Sequence, residues 1–152
     1  MSDKKEVIPI ASDHAGFEMK QVLARTLREL GYEVQDLGTT SGESVDYPDF
    51  AHPLAREVSE GEVTRGVLLC GTGLGMSYVA NRYPHVRAAV AWTPEVAALA
   101  RQHNDANVLV LPARLISNAD GQAILKKWLD TPFEGGRHER RVEKIEVEPE
   151  TD

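Results

Sequence analysis

The chain is poor in cysteine, in basic charge and in long apolar runs, and each shortage removes a class of protein. One cysteine, Cys70, among 152 residues cannot close an internal disulfide. That excludes a disulfide scaffold and makes a reducing, cytoplasmic setting the expectation. Lys and Arg number 17 against 24 Asp and Glu, a formal net charge of −7, which is the wrong sign for a nucleic-acid binder. Any bound anion must therefore be held by a local cluster of basic residues. No apolar stretch approaches the ~20 residues of a bilayer span, and "MSDKKEVIPI" lacks the apolar centre of a signal peptide. Neither a repeat nor a low-complexity segment is present. Only "EVEPETD", residues 146–152, reads as a loose acidic tail. What remains, 41% hydrophobic and 27% charged residues, is ordinary for a globular protein. The length suits one domain over residues 1–152 with a packed core of its own.

What is there alternates between strand and helix. Val7 to Ala11 is a short apolar run, although Pro9 is unusual in a central strand. Phe17 to Leu30 follows, with Phe17, Val22, Leu23, Leu27 and Leu30 on one helical face and Gly31 as a stop. Tyr32 to Gly38 alternates like a strand, and Thr39 to Tyr47 is a polar loop. A helix is expected over Asp49 to Gly61, a strand over Val67 to Cys70 and a short helix over Gly75 to Asn81. Val86 to Ala91 is strand-like. Thr93 caps a helix with Pro94 in its first turn. Val108 to Leu111 is a strand, Asn118 to Leu129 a helix, and "GGRHERRVEKIEVE" after Pro132 holds a final one. Five strands separated by helices predict an α/β fold. The expected form is a flavodoxin-like, Rossmann-like three-layer sandwich with a five-stranded parallel sheet and a C-terminal helix. Ligands bind such sheets beyond the carboxyl ends of the strands. Asp13 and His14, Cys70 and Thr72, and Arg114 should share that edge.

The stretch "LLCGTGLGMS", Leu68 to Ser77, places the lone cysteine against three glycines. "GTGLG" is neither a dinucleotide fingerprint nor a Walker loop. It is a strand–loop–helix junction, either a tight turn or a place where backbone N–H groups converge on an anion. Cys70 is either a small core residue or a thiol made acidic by the helix N-terminus. A thiolate beside anion-binding amides suits removal of a proton next to a carbonyl, with the amides holding the enediolate oxyanion. His14 and His103 are the other groups that titrate near neutrality, whereas His52 and His85 read as structural. The helix from Pro94 travels about 15 Å in ten residues. His103 therefore ends near the opposite edge of its own sheet. Either it takes no part in catalysis or it serves a neighbouring subunit. Arg137, His138, Arg140 and Arg141 form a basic cluster in an acidic chain. This is either a solvated face or, with Arg137 and Arg141 one helical step of four apart, a phosphate clamp. No His, Cys and acid spacing resembles a metal-ligand set, so no metal is expected.

Five pieces now stand in order: "SDHAGF" (Ser12 to Phe17), "DYPDFA" (Asp46 to Ala51), "CGTGLGMS" (Cys70 to Ser77), "RQHNDANVL" (Arg101 to Leu109) and "GGRHERRV" (Gly135 to Val142). Together they resemble the ribose-5-phosphate isomerase type B family, within the wider group that includes the galactose-6-phosphate isomerase subunits. The resemblance runs over about residues 7 to 145. It implies a cofactor-free and metal-free aldose–ketose isomerase of the pentose phosphate pathway, converting ribose 5-phosphate and ribulose 5-phosphate. It implies that Cys70 moves the proton between C1 and C2, with Thr72 as its hydroxyl helper. The amides of Gly71, Gly73, Leu74 and Gly75 would form the anion hole. His103 would open the furanose ring with Asn104 beside it. Asp13, His14 and Tyr47 would bind ligand, and Arg114, Arg137 and Arg141 would contact phosphate or substrate. Homodimers, in some members tetramers, with sites shared between subunits are implied as well. Some members replace the cysteine by a carboxylate, and Tyr78 stands where a smaller residue is common. A six-carbon sugar phosphate (allose or galactose 6-phosphate) and a non-catalytic phosphate-binding module are the alternatives.

Overall fold

The short apolar runs become five parallel strands. The computed structural model describes residues 4–148. Its strands are β1 Val7–Ser12, β2 Glu33–Asp36, β3 Gly66–Cys70, β4 Ala88–Val90 and β5 Val108–Pro112. The helices are α1 Phe17–Glu29, α2 Tyr47–Ser59, α3 Leu74–Ala80, α4 Pro94–Asn104, α5 Asn118–Asp130 and α6 Arg137–Glu143. A 3-10 turn at His14–Gly16 leads into α1. None of the described helices is long and apolar enough to cross a membrane. Of the expected acidic tail, residues 149–152 lie outside the described residues. Its first residue is anchored, because the backbone N–H of His85 donates to Glu146 Oε1 at 2.7 Å.

The period of two along the strands builds two cores. On β3, Val67 and Leu69 face one way and Leu68 and Cys70 the other; on β5, Leu109 and Leu111 oppose Val108 and Val110. The first face is covered by Leu23 and Leu27 of α1, Ala97 of α4, and Ile124, Leu125 and Trp128 of α5. The second is covered by Leu54, Ala55 and Val58 of α2 and Met76 and Ala80 of α3. The result is the expected three-layer sandwich. Its strand order is β2-β1-β3-β5-β4, so the last two strands are exchanged relative to the flavodoxin order 2-1-3-4-5. Burial accounts for the exchange. All five residues of β5 are buried, whereas β4 is short and half-buried throughout, and the more apolar strand takes the interior place.

The boundaries moved where side chains override pattern. Pro9 does lie in β1, which has neighbours on both sides. Even-numbered residues of β1 bond toward β2, as Ile10 O accepting from Leu37 N–H at 2.9 Å illustrates. The missing N–H of Pro9 thus faces the β3 side, where pairing begins only at Ile10. Helix α2 starts at Tyr47, two residues earlier than expected, because Pro48 fits a first helical turn whose N–H groups need no partner. Strand β4 is shorter than expected: Arg87 N–H is taken by Asn107 Oδ1 at 2.7 Å, so Val86 stays outside the sheet. On α1 the buried face is Met19, Lys20, Leu23, Ala24, Thr26 and Leu27, and Leu30 is exposed. The surprise there is Lys20, buried with its Nζ 2.6 and 2.7 Å from the two carboxylate oxygens of Asp36. A buried ammonium needs such a partner.

At Gly16, which joins the first strand end to α1, an added Cβ would lie 2.7 Å from Leu69 Cβ and 3.0 Å from Ser12 Cβ. Both neighbours belong to sheet strands and cannot swing away. Gly16→Ala should therefore lower stability by about 1–3 kcal/mol, the usual cost of overpacking, in urea denaturation followed by circular dichroism. An unchanged midpoint would contradict this packing.

Candidate active site

The parallel sheet gathers the polar ends of β1, β3 and β5 at one edge. The chain runs from β1 to β2 on one side and later enters β3 on the other, so β1 and β3 flank a topological switch point. Asp13 is buried there, and its carboxylate accepts from Gly16 N–H at 3.2 Å. His14 Nδ1 accepts from Val45 N–H at 3.1 Å, which fixes the loop before α2 against the end of β1. That bond assigns the proton of a neutral ring to Nε2, the nitrogen left free for a ligand.

Across the switch point, Cys70 ends β3 with only 5% of its surface exposed. Its Sγ accepts the backbone N–H of Gly73 at 3.2 Å. The bond requires the loop to double back, and Gly73 does so at φ +79, a conformation that favours glycine. Added bulk there would also meet Val90 Cγ1 at 3.1 Å. The next amide, Leu74 N–H, donates to Thr72 Oγ1 at 3.2 Å. Two of the loop amides expected to form an anion hole thus already serve the thiol and the hydroxyl. Arg114 N–H donates to Gly71 O at 3.0 Å, and the Arg114 side chain lies over Gly71, 3.2 Å from where a Cβ would stand. Tyr47, in the first turn of α2, covers Gly75; a Cβ on Gly75 would lie 2.5 Å from Tyr47 Cε1.

The remaining expected residues assemble elsewhere. His103 and Asn104 end α4, just before β5 begins, and Gly66 pairs with Val108 at that end while Cys70 pairs with Pro112 at the other. Four strand residues at about 3.3 Å each separate the two edges by roughly 13 Å. His103 stacks on His138 of α6, with ring centroids 4.4 Å apart and planes 14° from parallel. Loss of water around the His138 ring, followed by the neighbouring His103, Arg137 and Arg141, pushes its imidazole below the ordinary range. Arg137 and Arg141 are exposed on the same short helix. Asn104 lines a cavity of about 330 Å³ with Arg87, Ala106 and Ile145. The fourteen expected residues therefore form two groups: Asp13, His14, Tyr47, Cys70, Gly71, Thr72, Gly73, Leu74, Gly75 and Arg114 at the carboxyl edge, and His103, Asn104, Arg137 and Arg141 at the opposite one.

The sequence reading missed an apolar patch beside the cysteine loop. A cavity of about 280 Å³ is lined by Thr72, Leu74, Val90, Trp92, Pro112 and Leu115. Around it Leu115 is 70%, Tyr78 65%, Trp92 57% and Leu74 49% exposed. Trp92 and Leu115 lie two and three residues beyond the ends of β4 and β5, in the same strand-end loops that drew attention to Arg114. That signal was available but was applied only to polar residues.

A parallel three-layer sheet carrying a cysteine, a glycine loop, a histidine and an arginine at its switch point defines an α/β enzyme of the kind that works on small anionic substrates. A family model described as Ribose/Galactose Isomerase matches residues 8–145. The chain belongs to this ribose/galactose isomerase family. It is 45% identical over 138 residues to ribose-5-phosphate isomerase B of Escherichia coli strain K12, covering 91% of this chain and 93% of that protein. Among solved structures, a ribose 5-phosphate isomerase from Thermotoga maritima superposes with a TM-score of 0.90 at 53% identity, covering 93% of this chain and 98% of the other. Ribose-5-phosphate isomerase B from Mycoplasma genitalium, solved with bound ribulose-5-phosphate, gives 0.88 at 41% identity, covering 91% and 93%.

The contact between Gly75 and Tyr47 can be probed directly. Gly75→Ala should leave the fold intact, since the clash falls on a movable side chain, but displace Tyr47 and cut isomerase turnover by about tenfold or more, as misplaced substrate-binding groups do. Wild-type kinetics in this variant would remove Tyr47 from the site.

Proposed function

We propose that this chain interconverts D-ribose 5-phosphate and D-ribulose 5-phosphate. The observation that carries the reading is the Cys70 thiol, held by the Gly73 amide at a strand end shared with His14 and Arg114. The relatives' names, and the ribulose-5-phosphate bound to the Mycoplasma protein, support the choice of sugar. Aldose and ketose are isomers, so the reaction balances without any cofactor.

In the proposed sequence His103, with Asn104 beside it, moves the proton that opens the furanose ring. The Cys70 thiolate then takes the proton from C2. The C2 electron pair forms the C1–C2 double bond, and the aldehyde oxygen becomes an oxyanion cradled by the Gly71 to Gly75 loop. Thr72 passes a proton between the two oxygens. The thiol returns its proton to C1, leaving a ketone at C2. The Gly73 N–H stabilises sulfur while it is negative. The Gly73 and Leu74 amides are free for the oxyanion only when they leave Sγ and Oγ1. Arg114, Arg137 and Arg141 offset the acidic chain for a phosphorylated substrate, and Asp13, His14 and Tyr47 orient it.

The same reading includes a homodimer with shared sites. His103, Arg137 and Arg141 lie at the edge away from Cys70, so one chain does not complete the set. The exposed Trp92, Leu115, Leu74 and Tyr78 offer an apolar face beside the cysteine loop for a second copy. Pairs of such dimers would give a tetramer. A reduced thiol fits the cytoplasm, and the substrate fits the pentose phosphate pathway.

A ketose-formation assay should give turnover with ribose 5-phosphate and a higher kcat/KM than with allose or galactose 6-phosphate. The reverse order would assign a hexose phosphate, and binding without turnover would reject an enzyme. Mixing Cys70→Ala with His103→Ala subunits should restore part of the activity through one complete site per mixed dimer. If subunits exchange and nothing returns, the site lies within one chain.

A further inference from the structure

Three metal-ligating side chains meet at the edge remote from Cys70, although they are scattered along the sequence. His103 ends α4. Glu134 sits in the loop after α5, where its backbone N–H donates to Gln102 O at 3.1 Å and fastens the loop to α4. His138 lies in the first turn of α6, its N–H donating to Gly135 O at 3.1 Å. One ligand atom from each of the three lies within 4.8 Å of the other two, and His103 Nε2 stands 4.0 Å from Glu134 Oε1.

We propose that His103, Glu134 and His138 form a binding site for a divalent transition-metal ion of the zinc type. Two imidazoles and one carboxylate suit zinc, with water in the fourth position, better than calcium or magnesium, which take oxygen ligands. Donors around a tetrahedral zinc stand about 3.4 Å apart, given bonds near 2.0–2.1 Å. The donors here must close by about an ångström and the stacked rings must tilt apart. The side chains of His103 and Glu134 are 43% and 49% exposed, so these two are the groups that shift, toward the more buried His138. Arg137 and Arg141 on α6 oppose a cation, while the carboxylate of Glu134 favours it. Arg101 is neutralised by Asp105 at 2.8 Å. The balance makes the site an acquired, reversible one rather than a permanent structural centre. Metal held there occupies the ring of His103. This consequence rests on the proposed role of His103 in opening the sugar ring, and makes the ion an inhibitor.

The full chain titrated with Co²⁺ should develop visible absorption bands of a low-symmetry nitrogen–oxygen site with one ion per chain. His138→Ala and Glu134→Gln should each weaken this binding by about tenfold or more, as expected when the ligand set of a metal is disturbed. His85→Ala, which removes an exposed histidine elsewhere, should not. Zn²⁺ should slow isomerase turnover in the wild type, reversibly with EDTA, and Glu134→Gln should resist it. Co²⁺ binding unaffected by both ligand variants, or no bands at millimolar Co²⁺, would overturn the site. Zinc bound as described but without effect on turnover would leave the site standing and reject the place of His103 in the reaction.

Discussion

The hydrogen bond from the Gly73 amide to Cys70 Sγ is the constraint on which the site depends. It needs a strand that ends at the cysteine and a loop that turns back within three residues. It also needs a glycine at φ +79 pressed against Val90. Each requirement comes from a different level of the structure. Register with β5 sets the end of β3, because Cys70 pairs with Pro112, and Ala113 N–H donates to Cys70 O at 2.9 Å just beyond. The second core buries the thiol to 5% exposure, which keeps water from competing with the amide.

A chain of net charge −7 repels a sugar phosphate at long range. The proposed function uses two local basic groups against this, Arg114 over the cysteine loop and the arginines of α6, at opposite edges of one sheet. In the proposed homodimer each edge would meet the other copy's complement and bring the two groups together. The exposed Trp92 and Leu115 fit the same arrangement, since large apolar side chains beside a polar loop gain most from being covered.

Much of this was legible in the sequence. Glycines after an apolar run placed Cys70 at a strand end, and the length of α4 alone carried His103 to the far edge. What stayed hidden depends on through-space partners. Lys20 is absent from the apolar face read for α1, because its burial depends on Asp36, sixteen positions away on β2. Pro9 looked like an obstacle until the register showed its missing N–H beyond the start of β3. The exchange of β4 and β5 is a matter of relative burial, which a run of apolar letters does not rank. The meeting of His103, Glu134 and His138 needs a backbone bond between Glu134 and Gln102 that no spacing rule anticipates.

The central claim is that Cys70 is the atom that carries the proton, and isotope wash-in tests it most directly. Ribose 5-phosphate incubated in ²H₂O with the wild-type protein should acquire solvent deuterium at C2, and the ketose formed should acquire it at C1. A Cys70→Ala protein that still binds the sugar phosphate should leave both positions protiated. Deuterium entering at the wild-type rate in that variant would contradict the account.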